Sequence, residues 1–138
     1  MLQRIQSVWL LIASLLSFAT LKFSFYGGNK LVNGVNAFIN YTAKENLFIL
    51  ILTVAVAVAT LVSIFLYKDR KQQLKIISVI FIVDIVTIVL IYFNTKKFES
   101  GTFALSSIIY FAIPVFLILA MLAIWKDEKL VKSADRLR

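Results

Sequence analysis

The chain has 138 residues, of which 61% are hydrophobic and only 16% are charged, whereas apolar residues make up roughly half of an ordinary soluble domain. It contains no cysteine and no histidine, which excludes disulfides, thiolate metal sites and the usual acid and base near neutral pH. The formal net charge is +8, but the basic residues lie at the ends of apolar segments, as in membrane proteins. This composition predicts an integral membrane protein without a nucleic-acid partner or a cofactor.

Four apolar segments predict four transmembrane helices, at about residues 5–26, 46–67, 76–93 and 103–125. Each has roughly the 17 to 25 residues that are needed to cross a hydrocarbon core about 30 Å thick. Helices are favoured because they satisfy their own backbone hydrogen bonds in lipid. The expected fold is an all-α membrane protein, a four-transmembrane-helix bundle that forms one domain over residues 1–138 and ends in a basic cytoplasmic tail from residue 126.

Lysine and arginine residues predict the orientation, because they are enriched in cytoplasmic loops. With both termini inside, ten of them lie on the cytoplasmic side and five on the outer side. Nine of the ten are expected to contact anionic lipid headgroups or a partner: Arg4, Lys68, Arg70, Lys71, Lys75, Lys129, Lys132, Arg136 and Arg138. The alternative for the first segment is a secretory signal cleaved near Ala19, which the apolar residues continuing through Phe25 oppose.

The longest predicted loop joins the first two helices on the outer side. The dipeptide NG at positions 33–34 is suited to a type I′ turn between apolar residues, so this cap is expected to contain either a small β-hairpin or an irregular loop. KFE at positions 97–99, in the second outer loop, could add a third short strand. NYT at positions 40–42 matches a glycosylation acceptor, which matters only in a eukaryotic secretory pathway.

Asp84 lies near the centre of the third segment, about eight residues from either end and so roughly 12 Å from each membrane surface. An acid at this depth costs about 2.5 to 3.5 kcal/mol on insertion scales and usually faces the interior of a bundle. We expect a neutral carboxyl with a hydrogen-bond partner. Lys22, about one turn from the outer end of the first helix, is expected to extend to the interface rather than pair with Asp84.

Two kinds of partner are open to Asp84. The first is a hydroxyl whose hydrogen bond would only join two helices. Candidates on the first and second helices include Ser14, Ser17 and Thr60. The second is the carbonyl of Tyr110, which loses its helical hydrogen bond because Pro114 has no N–H. In the second case, Asp84, Tyr110 and Pro114 would form an intramembrane polar site for an ion or a proton.

Two further patterns predict contacts. On the second helix, Ala55, Ala59 and Ser63 recur at four-residue spacing and predict a ridge of small residues on which another helix packs closely. In the tail, Leu130 begins an apolar stripe at helical spacing. This stripe is expected either to lie on the membrane surface or to dock onto a partner.

The first residues, MLQRIQSVWLL, and the last, DEKLVKSADRLR, resemble the two ends of a family of small, uncharacterised four-span proteins of Bacteroidota, known as a domain of unknown function. The resemblance covers essentially the whole chain. It implies a bacterial inner-membrane location, where the NYT sequence would not be glycosylated. It supplies no activity, cofactor or functional residue.

We therefore expect a non-enzymatic accessory or assembly subunit, because the usual catalytic residue types are absent and no nucleophile and base share a depth. Its partners would be the lipid bilayer, anionic lipid headgroups and either a larger membrane protein or further copies of itself. The alternative is a small proton- or ion-coupled transporter or channel that uses Asp84 near the Pro114 kink.

Overall fold

A computed structural model describes residues 2–32 and 34–136 of the chain. These residues form four α-helices: α1 (Leu2–Ala19), α2 (Leu47–Phe65), α3 (Arg70–Thr95) and α4 (Ser107–Arg136). Three short strands lie in the connections from α1 to α2 and from α3 to α4: β1 (Tyr26–Val32), β2 (Val35–Tyr41) and β3 (Ser100–Phe103). One turn of 3-10 helix leads from β2 into α2: Ala43–Glu45.

Three of the helices are long and apolar enough to cross a membrane. Windows of 18 residues in α2, α3 and α4 have mean hydropathies of 2.9, 2.9 and 2.6, whereas the apolar part of α1 is shorter, Ile5–Ala19. Many apolar side chains on the outside of the helices are exposed, such as Ile82 at 61% and Val115 at 54%. Apolar surface of this extent is typical of an interface, here with lipid. These features indicate a mostly helical membrane protein.

Each helix packs against two others. α1 and α3 both contact α2 and α4. Because the strands connect the end of α1 to the start of α2 and the end of α3 to the start of α4, consecutive helices are antiparallel. The sheet therefore lies at one end of the bundle, which we call the sheet end. The connection at residues 66–69 lies at the opposite end, which we call the loop end.

Two hydrophobic clusters fill the interior. The bundle cluster lies among the four helices and consists of Leu10, Ala13, Val56, Ile77, Ile80, Ile113, Leu117, Ala120 and Ile124. The cap cluster lies next to the sheet and consists of Phe25, Tyr41, Ala43, Ile49, Ile91 and Tyr110. The small sheet is thus joined to the helices by apolar packing.

The prediction of a first helix over residues 5–26 is wrong at its outer end. α1 ends at Ala19, and Tyr26 already belongs to β1. Phe25 N donates to the Tyr41 carbonyl at 2.8 Å, so the apolar residues after Ala19 lead into the sheet. Hydropathy does not distinguish a residue of a membrane helix from a buried residue of the cap, because both are apolar. Phe25 is only 1% exposed in the cap cluster.

The bounds of the third and fourth predicted helices also change. α3 begins at Arg70 rather than at 76, because Asp69 is its N-cap and accepts a hydrogen bond from Gln72 N at 3.2 Å. α4 begins at Ser107 rather than at 103, since Phe103 belongs to β3. The segment that was expected to be a tail is helical as far as Arg136.

The predicted hairpin is confirmed. β1 and β2 are antiparallel, with Val32 opposite Val35, so two residues make the turn. Gly34 has a φ of 81°, a left-handed conformation that glycine adopts without a steric penalty. Asn33, the other residue of the turn, lies outside the described residues.

The predicted third strand is present but displaced. It occupies Ser100–Phe103 rather than residues 97–99, and it pairs antiparallel with β1, so the strand order is β2-β1-β3. Phe98 instead packs its ring against those of Tyr26 and Tyr41, at centroid distances of 5.4 and 6.0 Å. The N–H groups of Lys97 and Phe98 donate to the carbonyls of Asn94 and Thr95, at 3.2 and 3.1 Å, so these two residues continue the turn after α3 and the strand begins later.

Gly28 lies opposite Gly101 in the β1–β3 ladder. A Cβ atom on Gly28 would lie 2.5 Å from the Ser100 carbonyl oxygen, so β3 would have to move away. We expect Gly28→Ala to lower the free energy of unfolding by about 1 to 3 kcal/mol, measured by chemical unfolding in detergent. Gly27→Ala is the control, because its Cβ would meet only side-chain atoms, the nearest at 3.1 Å. Equal losses in the two variants would contradict the close approach of the strands.

Candidate functional site

Asp84 faces the interior of the bundle. It is 5% exposed and lies on the buried face of α3 with Ile77, Ile80, Thr87 and Ile91. Its Oδ2 atom is buried and has no hydrogen-bond partner among the described residues. Buried polar atoms are nearly always hydrogen-bonded in folded proteins, so this carboxyl is a candidate site for a partner that the chain itself does not supply.

Asp84 and Pro114 lie at similar depths. Ser78 Oγ is 3.6 Å from the sulfur of Met121, and α3 and α4 are antiparallel. Asp84 lies six residues from Ser78 toward the sheet end, and Val115, the neighbour of Pro114, lies six residues from Met121 in the same direction. Each distance along the helix is about 9 Å. Pro114 is buried within α4. No hydrogen bond joins Asp84 to the Tyr110 carbonyl within the described part of the chain.

The Tyr110 side chain contacts the end of α1 and the residues that follow it. Its hydroxyl lies 2.8 Å from the Thr20 carbonyl oxygen and 2.9 Å from that of Phe23. Its ring packs edge-on against Phe25, with the centroids 5.1 Å apart. Tyr110 therefore joins α4 to the end of α1 and to the cap cluster.

The hydroxyls that were candidate partners of Asp84 donate their hydrogen bonds elsewhere. Ser17 and Thr60 each donate to the carbonyl four residues earlier in the same helix, at 2.9 and 2.6 Å. Ser14 donates to the Ala57 carbonyl at 3.0 Å and so joins α1 to α2. Buried Ser and Thr often bond to a carbonyl of their own helix, which explains why their presence at this depth does not by itself identify a partner for the acid.

The bundle interior on both sides of Asp84 is mostly apolar but also contains buried hydroxyls, such as those of Thr60 and Thr87. Toward the loop end lies the bundle cluster, in which Ile77 and Leu117 are fully buried; toward the sheet end lies the cap cluster, in which Ile91 is fully buried and Phe25 is 1% exposed. The hydroxyls of Thr60 and Thr87 donate to carbonyls of their own helices, at 2.6 and 2.8 Å. An ion that crossed the bundle would therefore lose its hydration with few free polar groups to replace it, which is costly. The carboxyl is therefore separated from both ends of the bundle.

Lys22, the other charged residue considered for this site, is exposed and forms no ion pair with a described residue. Its extension to a membrane surface stays a prediction. Within residues 2–32 and 34–136, no cluster of three carboxylates is arranged to hold a metal ion.

A second group of polar residues in the interior, near the loop end, was not predicted from the sequence. We call it the loop-end polar layer, and it consists of Gln6, Arg70, Gln73 and Asp127. Gln6 of α1 and Gln73 of α3 are fully buried. Gln73 Nε2 donates to the Ser63 carbonyl at 2.9 Å, and one turn away on α3, Arg70 forms an ion pair with Asp127 of α4 at 3.1 Å. Both amide atoms of Gln6 lack a partner among the described residues. In the sequence, the sign of this layer is a glutamine at the border of an apolar segment, as at Gln6 and Gln73.

The predicted ridge on α2 does not pack as a unit. Ala55 is exposed, Ala59 is half-buried, and Ser63 alone is buried. The face that α2 turns inward consists of Ile49, Thr53, Val56, Ala57, Thr60 and Ser63. Small residues recur at four-residue spacing on a second stripe, Thr53 and Ala57. The spacing alone therefore could not select the stripe that meets α1.

The basic residues near the loop end are largely exposed. Lys132 pairs with Glu128 at 2.8 Å, and Lys129 lies over the ring of Trp125 at 5.7 Å. Three further lysines are exposed and have no ion pair with a described residue: Lys68, Lys71 and Lys75. The side chains of Arg4 and Arg136, and the whole of Arg138, lie outside the described residues. The result is a positively charged surface at this end.

These features define a class: a small, mostly helical membrane protein with a three-stranded cap and buried polar groups in a mostly apolar interior. The family model described as "Domain of unknown function (DUF4293)" matches residues 2–137. Because the match covers nearly the whole chain, the protein belongs to this family. No curated protein and no solved structure matches the chain.

The Tyr110 hydroxyl supports the chain between α1 and β1, which gives a direct test of this contact. We expect Tyr110→Phe to lower the free energy of unfolding by about 1 to 3 kcal/mol, because the carbonyl to which the hydroxyl donates loses its donor. The measurement is chemical unfolding in detergent. Tyr92→Phe is the control, since Tyr92 is 49% exposed; an unchanged stability of Tyr110→Phe would show that the hydroxyl contributes nothing to the junction.

Proposed function

We propose that the protein is a non-enzymatic accessory or assembly subunit of a bacterial inner membrane, a bundle of four transmembrane helices with both termini in the cytoplasm. The observation that carries this proposal is the length of α4. Its 30 residues extend over about 45 Å, whereas the hydrocarbon core is about 30 Å thick. The last turns therefore project beyond the bilayer at the loop end.

The projecting part of α4 has a composition suited to contact with another molecule. Trp125 is 58% exposed, as expected at a membrane surface. Beyond it, Leu130 and Val131 are 47% and 41% exposed, and they lie about 7 to 9 Å farther along the helix. Apolar residues that are exposed beside unpaired lysines fit an amphipathic partner surface with acidic residues, which we propose belongs to a larger membrane protein or to another copy of this chain.

The four-span arrangement is supported by α1 and by the charges. The apolar part of α1, Ile5–Ala19, extends over about 22 Å, and Leu21, Phe23 and Phe25 continue the apolar segment toward the sheet end. α1 also packs along both α2 and α4, which are long enough to cross. The excess of lysine and arginine at the loop end supports a cytoplasmic position for this end, since these residues are enriched in cytoplasmic loops.

The second candidate function is a small proton- or ion-coupled transporter. Its support is the unpartnered carboxyl of Asp84, since an intramembrane acid is a functional-site hypothesis by default. The mostly apolar interior on both sides of it weighs against this candidate, because the buried hydroxyls there donate to carbonyls of their own helices and do not connect the acid to the loop-end polar layer or to the cap. We therefore rank the accessory function first.

Single cysteines test the topology, because the natural chain contains none. We expect Lys44→Cys to react with a membrane-impermeant maleimide in spheroplasts with an intact inner membrane, and Gln3→Cys and Ser133→Cys to react only after permeabilisation. Labelling of Gln3→Cys together with Lys44→Cys in intact spheroplasts would instead mean that α1 does not cross the membrane.

Removal of residues 130–138 tests the accessory function. This truncation retains Asp127 and hence its ion pair with Arg70, so the bundle should stay folded. We expect the full-length chain and Asp84→Asn, but not the truncated chain, to co-purify with the same membrane protein or with a second tagged copy after gentle extraction. A wild-type proton flux in liposomes that Asp84→Asn abolishes, with no effect of the truncation on recovery, would replace this function by the second candidate.

A further inference from the structure

A polar cavity of about 150 Å³ lies at the sheet end, between the sheet and the ends of α2 and α3. Three charged groups and three neutral polar ones line it: Lys30, Lys97, Glu45, Asn46, Asn94 and Tyr41. The cavity lies apart from Asp84 and from the proposed partner surface at the loop end. It is accessible from outside, because its three charged residues are exposed.

The charged groups of the cavity have no partners in the described part of the chain. Lys30 and Lys97 form no ion pair, and neither does Glu45. Two ammonium groups and one carboxylate thus line the same small space without neutralising one another by direct contact. Such a combination is suited to a ligand that carries both an anionic and a cationic group.

The two asparagine amides add one donor and one acceptor. Asn46 is the N-cap of α2, and its Oδ1 accepts from Phe48 N at 3.0 Å, which leaves its NH₂ group without a partner. Asn94 has the opposite arrangement, because its NH₂ donates to the Leu90 carbonyl at 2.8 Å and its Oδ1 accepts no bond from a described residue. Because both amides are fixed by the backbone, their free groups are held in place.

Aromatic rings form a rigid apolar part of the wall. Tyr41 is 7% exposed and packs against Phe98, with the centroids 6.0 Å apart. Burial, together with the nearby charge of Glu45, raises the pKa of the Tyr41 phenol, which keeps the ring neutral. The cavity therefore offers an apolar surface to methylene groups between its charged groups.

We propose that this cavity binds a phosphoethanolamine group. The phosphate lies between the ammonium groups of Lys30 and Lys97 and accepts from the Asn46 amide. The ligand's ammonium group donates to the Glu45 carboxylate and to Asn94 Oδ1, and its two methylenes lie against Phe98. The group is supplied either by the headgroup of a phosphatidylethanolamine lipid or by free phosphoethanolamine.

The position of the cavity favours the lipid headgroup. Asn46 precedes the first residue of α2, and Asn94 lies in the last turn of α3, so the cavity is level with the ends of two apolar helices, where headgroups lie. That the headgroup comes from a lipid of the outer leaflet rests on the proposed orientation of the protein. Binding itself does not, and it can be measured in detergent whether or not the topology and the accessory function are upheld.

Native mass spectrometry of the delipidated protein tests the proposal with short-chain lipids of equal acyl length. We expect phosphatidylethanolamine to bind at least about tenfold more tightly than phosphatidylcholine, whose trimethylammonium group donates no hydrogen bond. Lys30→Gln with Lys97→Gln should weaken binding by about tenfold or more. Glu45→Gln should remove the preference for phosphatidylethanolamine while phosphate binding persists.

Lys44→Gln is the matched control, because Lys44 is exposed and adjacent to Glu45 but is not part of the cavity wall. It should bind like the wild type, and equal melting temperatures of all variants should show that the fold is intact. Competition by free phosphoethanolamine at similar affinity would identify the soluble compound as the source, and its failure to compete would identify the lipid. Equal binding of both lipids, or no effect of the lysine and glutamate variants, would overturn the proposal.

Discussion

The contact between Phe25 and Tyr110 holds the sheet end of the molecule together. Phe25 bonds through its backbone to both sides of the cap, with its N–H donating to Tyr41 at 2.8 Å and its carbonyl accepting from Ala104 at 3.1 Å. Its ring meets that of Tyr110, whose hydroxyl reaches back to the Thr20 carbonyl. One pair of aromatic residues thus joins the end of α1, the sheet and α4. The positions of the cavity and of the helix ends around it depend on this junction.

The helices could be predicted from hydropathy, because a helix is the element that satisfies its own backbone in lipid. Their ends could not, and the reason differs by element. Phe25 and Phe103 are as apolar as residues in a membrane, yet strand pairing places both in the cap. Arg70 to Lys75 are polar, yet the Asp69 cap starts α3 before them. The hairpin was predictable because its turn has a local cause, the positive φ at Gly34.

The candidate site was only partly predictable for a different reason. Depth along a helix follows from the sequence, so Asp84 and Pro114 could be placed near one another. The direction of a hydrogen bond does not follow, because Ser17 and Thr60 can reach a carbonyl of their own helix at no cost in packing. Which stripe of α2 faces inward was equally undetermined, since Ala55 and Ala57 are both small and only Ala57 is buried. The two buried glutamines carry no charge, so the distribution of charged residues along the chain does not reveal them.

The two candidate functions make different demands on the buried polar atoms that lack a hydrogen-bond partner among the described residues. Gln6 lies at the loop end, Asp84 near mid-bundle and Tyr41 in the cap, and each has a buried polar atom without a partner among the described residues. A proton path would need these groups to be connected by further polar side chains or by water. The buried hydroxyls in the intervening space, such as Ser17, Thr60 and Thr87, donate instead to carbonyls of their own helices, and most of the other side chains there are apolar. Isolated polar groups in a packed interior restrict which helix faces can meet, and a fixed arrangement of helices is what an assembly subunit has to present to its partner.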